Sequence, residues 1–299
     1  MQHKLSPATA GLLTLAPLLW AGNAIVGRLV RDAVPPMTLN LLRWAIAMLI
    51  LLPLGRRVFG PGARLLADWR RYALLGLLGV GLYNSLQYLA LQTSTPINAT
   101  LVASGMPVWM LLVGALFFGV RVNARQVAGA VLSILGVLVV LARGSVGQLA
   151  ALRMVPGDLY MILATIAWSF YSWYLMRKDE APQVRADWAA FLLAQVMYGV
   201  AWSAAFSGIE WLQGDVAIHW SGAVVAALLY VAIGPAIIAL QCWSAGVQRA
   251  GPTIGAFFTN LTPLFAALLS SAILGEAPHA YHALAFVLIV AGIVLSARR

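Results

Sequence analysis

Ten apolar runs of about 20 residues recur along the chain, and as helices they are of the right length to cross a bilayer core roughly 30 Å thick. In hydrocarbon a backbone N–H or C=O finds no water, so a short spanning segment must satisfy its own polar groups, which a helix does. Strands of a membrane barrel would be shorter and would alternate in polarity; these runs do not alternate. The pattern predicts an all-α polytopic membrane protein with helices over Thr9–Val30, Met37–Leu54, Tyr72–Gln92, Asn98–Phe118, Arg125–Ala142, Gly157–Met176, Asp187–Ser207, Trp220–Gln241, Pro252–Leu274 and His279–Ala297. Only 9% of the 299 residues are charged and 62% are hydrophobic. A soluble domain would carry roughly 25% charged residues, and disorder needs low hydrophobicity, so both are excluded.

A net charge of +10 raises the question of nucleic acid. Such a partner needs a basic face, whereas here the basic residues are scattered through short loops, so none is expected. The one cysteine, Cys242, excludes an intramolecular disulfide framework and a cysteine-ligated metal cluster.

Loop charges set the orientation, because Lys and Arg collect on the cytoplasmic side. With the N-terminus inside, fourteen of the nineteen basic residues fall on the inner face: Lys4, Arg56, Arg57, Arg64, Arg70, Arg71, Arg121, Arg125, Arg177, Lys178, Arg185, Arg249, Arg298 and Arg299. Arg28, Arg31, Arg143 and Arg153 fall outside, and Arg43 lies within a span. Both termini are therefore expected in the cytoplasm. Trp69 and Trp188 at inner span ends, and Trp211 and Trp220 at outer ones, suit an interfacial aromatic belt. Lys4 ahead of an apolar stretch has the look of a signal peptide, but cleavage there would destroy the repeat described next.

Residues 96–143 align with residues 252–299 at a shift of 156. Pro96 meets Pro252, Pro107 meets Pro263, Gly119 meets Gly275, Gly136 meets Gly292 and Arg143 meets Arg299. Trp20 in the first span has its counterpart in Trp168 of the sixth. The chain divides into halves at about 1–145 and 155–299, joined by Gly144–Pro156. Each half holds five spans. Five is odd, so the second half enters from the opposite side, and the two five-helix repeats are inverted. Inverted repeats are a common construction in secondary transporters, where two similar halves exchange inward-open and outward-open states.

Four further groups of residues carry a family resemblance: Trp20-Ala21-Gly22-Asn23, Leu42-Arg43-Trp44, Pro107, and Pro263 with Leu274-Gly275-Glu276. With the ten-span repeat, the chain resembles the EamA-like permeases of the drug/metabolite transporter superfamily, and its tryptophan-rich middle is most similar to YddG-type exporters of aromatic and other neutral amino acids. The first half has Gly119-Val120 where the second has Gly275-Glu276, so that element is kept once. The resemblance implies a bacterial inner-membrane carrier with a central cavity lined mainly by spans 1, 3, 4, 6, 8 and 9.

Polar and aromatic residues at mid-depth are the candidates for that cavity. Trp20, Trp109 and Trp168 sit near the middles of spans 1, 4 and 6, where an indole N–H wants a partner. Tyr83 and Gln87, and Asn84 and Tyr88, are four apart and form one polar stripe on span 3, which must face protein or water rather than lipid. Asn23 lies one turn after Trp20, and Tyr171 one turn after Trp168. Ser104 and Asn260 each stand three residues before a repeated proline. Each of these polar residues serves equally well as interhelical glue. Pro17, Pro107, Pro235 and Pro263 remove helix donors and are expected to interrupt spans 1, 4, 8 and 9 as gating kinks.

Arg43 reads as a snorkelling residue or a partner of Asp32. The Gly76–Gly81 segment, G-x-x-G-x-G, has no strand before it and reads as close helix packing. Asn98–Thr100 and Asn260–Thr262 fit the glycosylation pattern by chance. No P-loop, H-E-x-x-H, G-x-S-x-G or paired carboxylates appear, so no enzyme, catalytic residue, metal, cofactor or ATP-driven step is expected. All nine acidic residues lie in loops or at span ends, whereas proton relays use intramembrane carboxylates or histidine. Facilitated or exchange export of small neutral amphipathic metabolites by a monomer in the bilayer is the expectation; multidrug or other metabolite efflux with proton exchange is the alternative.

Overall fold

The computed structural model describes residues 5–94, 96–142, 147, 155–214, 216–274 and 280–297. Lys4, Arg143, Arg153, Asp215, Gly275, Glu276, Arg298, Arg299 and most of the joining segment lie outside them. Among the described residues, ten long helices, some of them in segments, run in order. They are α1 (Pro7–Leu29), α2 (Pro36–Leu54), α3 (Trp69–Gly76, Leu77–Leu82 and Tyr83–Thr93) and α4 (Pro96–Ala103 and Met106–Phe118), then α5 (Ala124–Ala142) and α6 (Pro156–Tyr174). After these come α7 (Trp188–Gln213), α8 (Gly222–Val231, Ala232–Ile238 and Ala239–Ala250), α9 (Pro252–Thr259 and Leu261–Leu274) and α10 (Ala280–Ala297). Pro7, Pro36, Pro96, Pro156 and Pro252 each open a helix, where a missing N–H costs nothing and the fixed φ is already helical. Gly119, at φ 64°, closes α4, since the left-handed region penalises any Cβ.

All but α6 contain a stretch long and apolar enough to cross a membrane. The exception explains itself: its Asp158, Thr165, Ser169 and Ser172 are fully buried, so they meet other helices rather than lipid. Interfacial Trp69, Trp188, Trp211 and Trp220 are exposed at helix ends, as an aromatic belt requires.

The inversion is visible in the most extensive helix pair, α5 against α10. Gly129 lies against Gly292, and Gly136 against Ala285 and Ile289, so the two helices run antiparallel. Adding 156 turns Gly129 into Ala285 and Gly136 into Gly292; the two contacts exchange. A two-fold relation between antiparallel helices has its axis across them, in the membrane plane. The remaining packing obeys the same rule. α1 on α8 answers α6 on α3, α1 on α9 answers α6 on α4, and α2 on α7 answers itself.

The expected boundaries hold within a few residues except in the second half. α7 runs on to Gln213, beyond the expected Ser207, because Glu210 is used structurally: its Oε1 accepts from Met37 N at 2.9 Å and its Oε2 from Thr38 N at 2.8 Å. A carboxylate there satisfies the otherwise unpaired donors at the α2 N-terminus. α8 continues to Ala250, and Gly251, at φ 88°, makes the turn into α9.

Two irregularities recur in each half. α3 and α8 contain π-helical turns over Leu77–Leu82 and Ala232–Ile238, and α4 and α9 break at Ser104–Gly105 and at Asn260. Each pair matches under the 156-residue shift. The breaks directly precede the half-helices that carry Pro107 and Pro263. Pro17 lies inside α1, which continues through it without a break, unlike α4 and α9. Gly76–Gly81 is close packing, as expected: a Cβ on Gly76 would come within 2.6 Å of backbone atoms of Gln195 and Gly199.

A Cβ added at Gly292 would lie 2.7 Å from the Gly129 carbonyl oxygen, whereas at Gly11 it meets nothing within 4 Å. Gly292→Ala is therefore expected to destabilise the protein by about 1–3 kcal/mol, and Gly11→Ala to be neutral or stabilising by about 0.5 kcal/mol. Unfolding midpoints in detergent check both; equal midpoints would contradict the assigned helix contact.

Candidate substrate site

Four central helices, exchanged in pairs by the pseudo-two-fold, bring their aromatic side chains to one place. Trp20 of α1 meets Trp168 of α6 edge to face, with centroids 5.3 Å apart. Trp243 of α8 lies 5.6 Å from both. Tyr83 of α3 sits 4.9 Å from Trp168, and Tyr171 sits 5.0 Å from it. Such pairs are worth roughly 0.5–1.5 kcal/mol each beyond their buried area.

The indole donors of Trp20 and Trp243 are used. Trp20 Nε1 donates to the Pro235 carbonyl at 3.2 Å, inside the π-helical turn of α8. Trp243 Nε1 donates to Ser172 Oγ at 3.2 Å. Tyr171 OH donates to Gln195 Oε1 at 3.0 Å. Trp243 was not among the expected site residues, although the signal was present: it stands 156 residues after Gln87, which was.

The rings lie against one another rather than around a hollow. A planar solute between two rings needs about 7 Å, two van der Waals contacts of roughly 3.5 Å, and these centroids are 4.9–5.6 Å apart. A solute enters this wall only if α1 and α6 part.

The other expected residues fall into two groups. Asn23, Asn84 and Tyr88 surround Arg43, whose NH1 lies 3.4 Å from Asn23 Oδ1, 3.3 Å from Asn84 Oδ1 and 3.4 Å from Tyr88 OH. The expected polar stripe on α3 is thus shared: Tyr83 turns to the tryptophans, while Asn84 and Tyr88 turn to the arginine. Gln87 is half-buried. The second group holds backbone and helices together. Ser104 Oγ donates to Leu101 O at 2.6 Å at the break in α4, and Asn260 Nδ2 donates to Ser133 Oγ at 2.9 Å, tying α9 to α5. Trp109 stacks on no other ring among the described residues and lies half-buried beside Gly105.

The reading of Arg43 needs correction. Arg43 does not snorkel and does not pair with Asp32, which takes exposed Arg31 at 3.4 Å. It is 2% exposed. Depth alone misled: about 10 Å from the helix end permits snorkelling, but the acceptors on α1 and α3 lie inward.

At the opposite end of the bundle, buried Glu180 holds Arg71 at the base of α3 and Arg185 ahead of α7, at 2.5 and 2.6 Å. Arg71 also donates to Arg177 O at 2.7 Å. This network fastens the loop after α6 to the start of α3. No set of three or more His, Cys, Asp or Glu capable of holding a metal occurs among the described residues.

With this geometry in place, the likeness to known proteins is informative. The EamA-like transporter family matches the chain twice, over residues 8–142 and 155–298. An uncharacterized transporter of Archaeoglobus fulgidus is 27% identical over 289 residues, 95% of this chain and 96% of that protein. The aromatic amino acid exporter YddG of Ancylobacter novellus is 29% identical over 277 residues, 93% of this chain and 92% of its own length. An uncharacterized inner membrane transporter of Escherichia coli, YedA, is 24% identical and covers 95% of this chain and 89% of itself. A solved crystal structure superposes with a TM-score of 0.74 at 25% identity, over 96% of this chain and 95% of that one.

Trp243 is fully buried. Trp243→Ala is expected to remove about 3–5 kcal/mol of stability, and Trp109→Ala, half-buried and outside the ring cluster, clearly less. Thermal unfolding of the two variants side by side measures this. A smaller loss for Trp243→Ala would mean that the four central helices do not meet as described.

Proposed function

The chain belongs to the EamA-like transporter family, and from that premise we propose that it exports small neutral amphipathic metabolites, aromatic and other neutral amino acids first, by alternating access between its two inverted halves. The observation that carries this reading is the aromatic group of Trp20, Tyr83, Trp168 and Trp243, contributed by helices that the pseudo-two-fold exchanges. Trp20 and Trp168, counterparts in the two repeats, give each half a ring in this wall. The likeness to an exporter of aromatic amino acids agrees with a ring-lined path.

The breaks at Ser104–Gly105 and Asn260 leave Pro107 and Pro263 at the start of separate half-helices, and the π-helical turns of α3 and α8 lie at the same depth as the rings. These are the places where α3, α4, α8 and α9 bend as the halves exchange. π-turns recur at functional sites for this reason. The described carboxylates lie at helix ends or in loops, so transport is facilitated or by exchange, with no proton relay through the membrane. The excess of Lys and Arg in the loops of one side supports cytoplasmic termini, the inner-membrane transporter among the relatives supports that membrane, and the proposed carrier works as a monomer.

Counterflow of radiolabelled amino acids in proteoliposomes tests the reading. L-tryptophan or L-phenylalanine is expected to exchange with saturation, and Trp168→Ala to lower the rate at least tenfold while the protein stays folded. Exchange that is indifferent to Trp168→Ala would remove the aromatic wall from the mechanism. The joint variant Pro107→Ala/Pro263→Ala is expected to slow exchange several-fold without changing the folded fraction. A pH gradient alone is expected to drive no uphill uptake, which the same vesicles measure directly.

A further inference from the structure

The residue that this account leaves unexplained is Arg43. The residue is buried at 2% exposure, about two-fifths of the way along α2. Arginine keeps its proton in proteins, so a full positive charge sits inside the bundle. The side-chain partners of NH1 are the neutral oxygens of Asn23, Asn84 and Tyr88, all at 3.3–3.4 Å. Its Nε is buried with no hydrogen bond. No ion pair joins it to a carboxylate among the described residues, although Arg31, Arg57, Arg64, Arg71 and Arg185 all have one. An ionisable side chain held within a membrane bundle normally has an opposite charge for company, and burial without one is unfavourable. Its Cζ also lies 5.2 Å from the centroid of the Trp44 ring; long bonds to neutral dipoles and a ring face orient and ease the charge but do not neutralise it.

Its position is equally specific. Asn23 is one turn beyond Trp20 on α1, and Asn84 is next to Tyr83 on α3. The oxygens that hold the Arg43 guanidinium and two of the rings, Trp20 and Tyr83, are therefore carried by the same two helices, with Asn23 one helical turn, about 5 Å, beyond Trp20. We infer that Arg43 is the binding group for the carboxylate of an amphipathic solute whose ring rests on Trp20, Tyr83 and Trp168. A guanidinium fork matches a carboxylate with two parallel N–H donors, and unpaired Nε supplies one of them. The inference rests on the carrier reading above and narrows it. The preferred solutes are carboxylates and zwitterions with an apolar ring, and uncharged ring compounds of the same shape bind more weakly. Asn23, Asn84 and Tyr88 hold the guanidinium in place while the site is empty.

The test uses the purified full-length chain with benzoate and its uncharged counterpart benzamide as probes. Wild-type protein is expected to be protected against thermal unfolding by benzoate at concentrations at least tenfold below those needed for benzamide. Arg43→Gln is expected to erase that preference by weakening benzoate alone. Arg43→Lys, which keeps the charge but loses the fork, is expected to retain part of it; if Arg43→Gln fails to fold, the lysine variant decides. No preference for benzoate in the wild type, or an undiminished preference in either variant, would overturn the assignment. Counterflow of L-phenylalanine by the same proteins separates the two readings. Benzoate protection that depends on Arg43, without any amino acid exchange, would sink the proposed cargo and leave this site standing. Exchange of phenylalanine that Arg43→Gln leaves unchanged would do the reverse.

Discussion

Hydrocarbon gives an unpaired backbone N–H or C=O nothing to bond, so a chain that crosses lipid is helical wherever it touches lipid, and every departure from the α-helix must be covered by protein. In this protein the departures come in matched pairs. The π-helical turns of α3 and α8 and the breaks of α4 and α9 fall at equivalent places in the two repeats. All four belong to helices that pack on α1 and α6 in the centre. Their carbonyls are put to use: the Pro235 carbonyl accepts the Trp20 indole, and Leu101 accepts Ser104. Irregular backbone is tolerated where it borders the site, and that is also where a helix bends most easily.

Close backbone approach supplies the frame around this centre. Lipid tails are as apolar as leucine, so helices associate through contact and hydrogen bonds rather than through exclusion from water. The glycines of α5 and α10 bring those two antiparallel helices to backbone contact. On the far side, the Glu210 carboxylate caps α2 and so ties it to α7. The frame is therefore stiff along α5–α10 and α2–α7, the two pairs that map onto themselves. The mobile candidates, α1, α3, α4, α6, α8 and α9, lie between them.

Within that frame the site joins two chemistries that rarely sit together in a membrane. The tryptophan and tyrosine rings offer a largely apolar wall in which the N–H groups of Trp20 and Trp243 and the O–H of Tyr171 are already bonded. Arg43 makes a strong polar demand on a solute. A wall without the arginine would accept any flat apolar molecule; the arginine without the wall would accept any small anion. Their adjacency on α1 and α3 restricts the solute to one that satisfies both. In the proposed site the buried charge supplies the specificity that rings alone would lack.

The span count, the helical class, the duplication and its inversion were legible in the linear chain. Each depends on a constraint that acts residue by residue: the length of an apolar run, the parity of five, or the recurrence of proline and glycine at a fixed shift. Trp20 and Trp168 were legible for the same reason, since indoles at mid-depth need a cause. The π-helical turns, the reach of Glu210 to α2 and the surroundings of Arg43 were not. Those depend on which face of one helix meets which face of another, and helix–helix contact in lipid is chosen by steric fit spread over many small residues. Arg43 shows the difference most clearly. Its sequence position, two turns inside a span, allows it to reach water or to turn inward, and only the oxygens brought by α1 and α3 decide that it turns inward.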